Sequence, residues 1–235
     1  MPPSVTIVIP VHNEAEFMPG ALPRLFAELE GIEGEFDIIV AENGSTDATA
    51  ALAGDIARTE PRLRVLRLPA PNYGAAMRAG FAEATGEWVV NFDIDYFSGD
   101  FLRAALALAD EADIVLASKR APGAKDERSM VRRLGTFGFN LLLKLLFRSA
   151  VSDTHGMKMI RGAIVREVTP RVISNLDLFD TELVIRAERA GARIREVPAK
   201  VEELRATRSS FLKRVPRTLK GLWRIRRELA KEASR

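Results

Sequence analysis

Among its 235 residues the chain has no cysteine, and only two histidines (His12 and His155), two tyrosines and two tryptophans. Without thiols there is no disulfide framework, no thiolate metal ligand and no cysteine nucleophile. Any metal must therefore be held by oxygen, with imidazole available at two positions. No run approaches the about 20 apolar residues that a membrane span requires. The richest stretch, Leu134–Leu143, is ended by Lys144. The N-terminus lacks a basic segment followed by an apolar one, so no secretory signal is expected. These absences point to a cytoplasmic protein, or one peripheral on the cytosolic membrane face.

Hydrophobic residues make up 47% of the chain, enough for one large domain with a small appendage. Charge is unevenly placed. Residues 205–235 carry 11 Lys/Arg and 2 Asp/Glu, net +9, while the rest nets −6, which gives +3 overall. A concentrated positive tail calls for an anionic surface or for a helix packed on the body.

Short apolar runs alternate with amphipathic stretches. Strands are expected at 5–10, 36–41, 63–68, 88–92 and 113–118, with helices at 14–30, 46–58, 73–85 and 101–110. This is the rhythm of a mostly parallel α/β sheet with helices on both faces, whose ligands sit beyond the carboxyl ends of the strands. After Ser118 the rhythm breaks. Residues 119–133 read as a mobile loop and 134–148 as an apolar helix. Strands at 158–160 and 194–201 flank a helix at 180–190, and a basic amphipathic helix fills 211–232. The apolar stripe of that last helix is Leu212, Val215, Leu219, Leu222, Ile225 and Leu229. The domain reading is 1–204, with a nucleotide half to about 118 and an acceptor half at 119–204, followed by the tail 205–235.

The strand ends hold the chemistry. The first gives Pro10-Val11-His12-Asn13-Glu14, where the proline stops the strand and Asn13 and Glu14 suit either a nucleoside or a helix N-terminus. The second gives Glu42-Asn43-Gly44-Ser45-Thr46-Asp47. Capping by Ser45 or Thr46 accounts for its later residues but not for Glu42, which suits ribose hydroxyls or a base. The fourth gives Asp93-Ile94-Asp95. In extended backbone these carboxylates share a face and repel, and a hard cation such as Mg²⁺ or Mn²⁺, completed by diphosphate oxygens, offsets that. The alternative is a pair of helix caps, a role that Ser98 or Asp100 already fills. Between Ala117 and Arg148 stand 8 Lys/Arg against 2 acids, among them Lys119, Arg120, Arg132 and Arg133; Arg205 and Arg208 follow later. Guanidinium groups suit bidentate phosphate binding.

PVHNE, ENGSTD, DID after an apolar strand, SDTHGMK, and EVP followed by R-x-x-R-S-S occur in that order. Over residues 4–212 this resembles the family-2 glycosyltransferases of GT-A fold, most of all the dolichyl- or polyprenyl-phosphate mannosyl- and glucosyltransferases. The resemblance implies that Pro10, His12, Glu14, Glu42 and Asn43 line a nucleoside pocket, and that Asp93 and Asp95 hold the metal and the donor diphosphate. It implies that Arg120 and Arg205 meet donor phosphate, that Arg132 or Arg133 meets an acceptor phosphate, and that Asp153 and Gly156 form the D-x-x-G element of the acceptor site. There are departures. Glu42-Asn43 replaces the usual aspartate pair, His12 the usual aromatic, and Phe211 the lysine six residues after the late arginine.

The expected reaction is an inverting transfer from a nucleotide-sugar donor, of GDP-mannose or UDP-glucose type, to a lipid-phosphate acceptor. A phosphate monoester needs no general base; an alcohol would, and Asp180 or Glu182 are the candidates, the alternative being ordinary first-turn helix acids. Helices 134–148 and 211–232 fit a lipid acceptor and a membrane surface, the alternative for both being core packing or a dimer contact. The rivals are a soluble alcohol or glycan acceptor, a nucleotidyltransferase (PVHNEAEF lacks its Gly-rich loop with lysine) and a non-catalytic nucleotide-sugar sensor. The interleaved Leu, Val and Ile of the tail look like a packing face rather than a base-stacking platform, so nucleic acid is not expected. A homo-oligomer is left open.

Overall fold

The computed structural model describes residues 2–119, 121, 125–126, 130–152, 154–176, 178–201 and 211–234; of 125–126, 131–133, 200–201 and 211–214 it describes the backbone. The first half alternates as expected: β1 (Ser4–Val11), α1 (Met18–Glu30), β2 (Glu35–Asn43), α2 (Thr49–Thr59), β3 (Leu63–Leu68), α3 (Tyr73–Glu83), β4 (Trp88–Asn91), α4 (Gly99–Leu106) and β5 (Ile114–Ser118). Then come β6 (Lys125–Asp126), α5 (Met130–Phe147), β7 (Lys158–Arg161), α6 (Gly162–Val168), α7 (Phe179–Arg189), β8 (Ile194–Pro198), β9 (Lys200–Val201) and α8 (Phe211–Ala233).

The main sheet has seven strands in the order β3-β2-β1-β4-β7-β5-β8. All neighbours run parallel except β7, which is antiparallel to both β4 and β5. Six carboxyl ends therefore share one edge, and β7 begins there. Side chains alternate between two cores. Ile7, Ile9, Val40, Val90 and Val115 face α1, α2 and α4; Val8, Ile39, Val89, Ile114 and Leu116 face α3, α6 and α7. This double burial explains why the strands read as unbroken Val/Ile runs.

Several expectations need correction. Pro10 does not stop β1, which continues to Val11. The β4 ladder ends at Val8↔Asn91, so the missing N–H of Pro10 falls where no strand asks for it. Asn13 and Glu14 are not caps, because α1 starts only at Met18 and its N-cap Phe17 makes no side-chain bond. Ser45 and Thr46 do not cap α2 either; Asp47 Oδ1 accepts from Thr49 N at 3.0 Å instead. The expected strand 194–201 is two strands, because β9 leaves the main sheet and pairs with β6. Arg132 and Arg133 belong to α5 rather than to a loop.

Helix α6 had no counterpart in the sequence reading, since Gly162-Ala-Ile-Val is as good a strand as a helix by composition. Contact selects the glycine: a Cβ on Gly162 would stand 2.4 Å from the carbonyl of Gly86. The basic helix α8 lies on the body. Leu222, Ile225 and Leu229 are buried against Leu143 and Phe147 of α5 and against Leu178 and Ile185. Among the described residues no helix is long and apolar enough to cross a membrane.

Candidate active site

The loops after β1 and β2 are bonded to each other. His12 Nδ1 lies 2.9 Å from the Asn43 carbonyl, which makes it the protonated nitrogen, and Asn13 Nδ2 can then donate to Nε2 at 3.4 Å. Asn13 has φ 55, a left-handed conformation that asparagine tolerates. There its amide N donates to Ser45 Oγ at 3.0 Å and its Oδ1 accepts from Thr46 N at 2.8 Å. Glu14 N donates to Thr49 Oγ1 at 2.8 Å. Glu42, buried, accepts from Ser45 N at 2.6 Å through one oxygen, and Asn43 Oδ1 accepts from Asn72 N at 2.7 Å. At the turn between them Gly44 has φ 63, and a Cβ there would lie 2.8 Å from the Ala70 backbone. The strand ends thus form one rigid ledge, in which His12 and Asn43 spend bonding capacity on each other.

At the end of β4, Asp93-Ile94-Asp95-Tyr96 is a tight turn rather than extended chain. Asp93 N donates to Tyr96 O at 3.2 Å, and Tyr96 N returns the bond at 3.0 Å. Helix capping is not the role of these aspartates, because Ser98 Oγ caps α4 by accepting from Phe101 N at 3.2 Å. Burial holds the Asp93 carboxyl up at about 6, and the charges of Asp180 and Asp95 push it the same way against Lys158 and Lys119. A half-buried acid kept protonated this far up the pH scale suits a site that a cation completes. Among the described residues no three acidic or imidazole groups are placed to hold a metal ion between them. Beside Asp95 lies a cavity of about 320 Å³, walled by Tyr96, Phe97, Met157 and Val197.

Gly156 has φ 100 and stands where an added Cβ would be 3.7 Å from the Tyr96 ring and 3.9 Å from Lys119 Nζ. Of the expected basic set, Lys119 is thereby placed next to the aspartate turn. Arg120, Arg205, Arg208 and Asp153 lie outside the described residues, as do the side chains of Arg132 and Arg133.

A buried polar cluster that none of the sequence motifs indicates lies under the turn. Lys158 Nζ donates to Asn91 Oδ1 (2.7 Å), the Gly156 carbonyl (2.8 Å) and Asp180 Oδ1 (3.0 Å), while Tyr73 OH donates to Asp180 Oδ2 at 2.7 Å. Burial, then the charge of Asp180, raises the Tyr73 phenol well above its usual range. One sign was legible: a lysine inside Met157-Lys158-Met159-Ile160 must be paired if the strand is interior. The proposed base Glu182 is fully buried and spent. It accepts from Ile173 N, Ser174 N and Arg186 Nε at 3.1, 2.8 and 2.7 Å.

The profile of glycosyl transferase family 2 matches residues 6–169. The chain belongs to that family. An uncharacterised glycosyltransferase of Mycobacterium bovis is 31% identical, with 83% of each chain covered. Glycosyltransferase AglD of Haloferax volcanii is 29% identical over 83% of this chain and 32% of its own length. A dolichyl-phosphate beta-glucosyltransferase of Trichomonas vaginalis is 27% identical over 85% of this chain and 64% of its own. The chain thus spans less than two thirds of these last two relatives. Among solved structures, a Pyrobaculum calidifontis mannosyltransferase in complex with GDP-Man and Mn²⁺ superposes with a TM-score of 0.64, at 22% identity, over 92% of this chain and 61% of that one. This family-2 chain shares the fold of that mannosyltransferase.

Proposed function

We propose that the protein is an inverting, metal-dependent glycosyltransferase that moves a sugar from a nucleotide-sugar donor to a polyprenyl-phosphate-like acceptor at a membrane surface. The observation that carries the reading is the Asp93–Asp95 turn, inward-set and charge-crowded at the carboxyl edge of the sheet beside the β1–β2 ledge. Asp93 and Asp95 would hold Mg²⁺ or Mn²⁺, whose chemistry there is to neutralise charge developing on the nucleoside diphosphate leaving group. Pro10, His12, Glu14, Glu42 and Asn43 supply the nucleoside ledge, and Lys119, Arg120 and Arg205 the cations for the diphosphate. Glu42, with one oxygen bonded to Ser45 N, keeps acceptor capacity for a ribose hydroxyl. Support for the donor class comes from the Pyrobaculum enzyme with its GDP-Man and Mn²⁺, and from the glucosyl-3-phosphoglycerate synthase of Mycobacterium tuberculosis, solved with Mn²⁺ and UDP.

A phosphate acceptor is favoured by the fate of the base candidates. Glu182 is fully buried and already accepts three bonds, and Asp180 is the counter-ion of Lys158. A phosphate monoester, with its second pKa near about 6, arrives already ionised. Arg132, Arg133, Asp153 and Gly156 are the residues assigned to it. Relatives named for lipid phosphates support the same class: the Trichomonas glucosyltransferase, and an undecaprenyl-phosphate 4-deoxy-4-formamido-L-arabinose transferase of Proteus mirabilis, 31% identical over 49% of this chain. The lipid would meet α5, where Met130, Leu134, Phe137, Leu141 and Leu145 form one exposed stripe. A groove of about 830 Å³ runs beside it, with Phe137 and Leu141 as apolar walls and Lys144 and Arg148 as its cationic end. On α8 the outward face carries Trp223 among arginines, which suits an anionic interface.

The test is transfer from a panel of UDP-, GDP- and dTDP-sugars with Mn²⁺, offered polyprenyl phosphate and free sugars in parallel. Product on polyprenyl phosphate, lost in Asp95→Ala, is expected. Product on free sugars alone overturns the acceptor; no product and no nucleotide-dependent thermal shift overturns the enzyme.

A further inference from the structure

We propose that Lys158 is a positioning residue for the transfer reaction: its buried ammonium ties the Asp93–Asp95 turn to the Gly156 loop, with Asp180 as its counter-ion. The inference rests on the reading of those two aspartates as metal ligands.

Its place follows from topology. Because β7 runs against its neighbours, its first residue stands at the edge where the other strands end, and Lys158 pairs directly with Asn91, the last residue of β4. The side chain is only 1% exposed. An ammonium has three protons and no lone pair, and here each proton has an acceptor on a different segment: Asn91 at the end of β4, Gly156 in the loop before β7, and Asp180 at the start of α7. Since lysine can only donate, Asn91 must turn Oδ1 toward it. That sends Nδ2 to the Phe92 carbonyl at 3.3 Å, while Phe92 N is bonded to Val8 O at 3.1 Å. The residue before the first aspartate is therefore clamped on both sides. On the far side, the lysine holds the carbonyl of Gly156, whose left-handed turn abuts Tyr96 and Lys119. Tyr73 joins α3 to the cluster through the second oxygen of Asp180.

Stability is a poor reason for such a pair, because desolvation offsets most of the attraction between buried charges. What the cluster adds is geometry: three segments that border the site share one ammonium, and Tyr73 ties α3 to the same cluster through Asp180. Asp180 is accordingly part of a fixed support, and a proton taken up there would break the bond pattern that holds Lys158.

The experiment compares the wild type with Lys158→Met/Asp180→Asn and with Asn91→Ala. Three quantities are measured: the apo melting temperature, the affinity for UDP and GDP in EDTA, and the affinity for Mn²⁺ at saturating nucleotide. In the double variant both charges leave together, so the fold is retained. Metal-free nucleotide binding stays at the wild-type value, while Mn²⁺ affinity falls by about ten- to a hundred-fold, the usual cost of losing support behind a metal ligand. Asn91→Ala, which keeps the ion pair, shows the same selective loss and decides the matter alone should the double variant not fold. Unchanged Mn²⁺ affinity, or an equal loss with and without metal, overturns the proposal. A wild type that binds neither nucleotide with Mn²⁺ removes the metal site itself, a result distinct from either.

Discussion

Two pairs of acids stand near the carboxyl edge of the sheet, one residue apart within each pair, and their surroundings are opposite. Glu182 accepts from Ile173 N, Ser174 N and Arg186, which itself reaches Glu232 of α8. Asp180 is shared by Lys158 and Tyr73. Asp93 receives no hydrogen bond at its carboxyl from a described residue, and burial keeps its proton on to about pH 6. A carboxylate at a sheet edge is thus not by itself a functional group. Where donors converge it holds the fold, and where burial outweighs the nearby cations it is available to a ligand.

That contrast can be broken most severely at Asp93 and Asp95. Asp95→Ala or Asp93→Asn should lower transfer by at least about a hundred-fold, by analogy with other lost electrostatic stabilisers. Asp93→Asn should nevertheless raise the apo melting temperature above pH 6, because a charge that the apo fold disfavours is gone; a lower melting temperature would contradict the contrast. Glu182→Gln should do the reverse. It leaves buried Arg186 poorly compensated and should cost about 3 kcal/mol of stability by chemical denaturation. Transfer per folded molecule should stay close to wild type.

Acid sharpens the comparison further. Mn²⁺ must displace the proton of Asp93, so affinity should be constant well above pH 6 and fall by up to about ten-fold per unit below it, read as a shrinking Mn²⁺-dependent thermal shift. In the apo protein the same group binds its proton more tightly folded than unfolded. Its stabilising effect is therefore full below about pH 4 and lost as pH rises through 6. Asp113 gives the smallest effect and the opposite sign. Hydrogen bonds from Arg193 hold its carboxyl down at about 2. Its contribution is present above about pH 4 and disappears as pH falls toward 2. The melting difference between wild type and Asp113→Asn should close over that interval.

Much of this was legible in the sequence. Strands buried on both faces appear as Val/Ile runs, and the strand-end rule then leads to His12, Glu42 and Asp93 without coordinates. Asp93 and Asp95 do follow β4 as the sequence suggests, but their backbone is a bridge-closed turn and not extended. Lys158 was legible only as a strand lysine in want of a partner; which partners it meets depends on β7 running backwards, and no local pattern distinguishes a parallel from an antiparallel strand of four residues. The stripe of α8 was equally ambiguous: Leu222, Ile225 and Leu229 at helical spacing suit a bilayer and a protein core alike. The fold buries them in the core and turns Trp223 outward, 67% exposed.

The seating of α8 has a practical consequence for anyone who shortens the chain. Deleting everything beyond residue 210 would uncover Leu143, Leu178 and Ile185 and strip Arg186 Nη1 of its bonds to both carboxylate oxygens of Glu232. Such a truncation would turn sticky through its newly bared interior, and vesicle flotation could then report adhesion that the intact protein lacks. Charge reversal at Arg217, Lys220 and Arg224, all outward-facing, interrogates membrane affinity without that artefact.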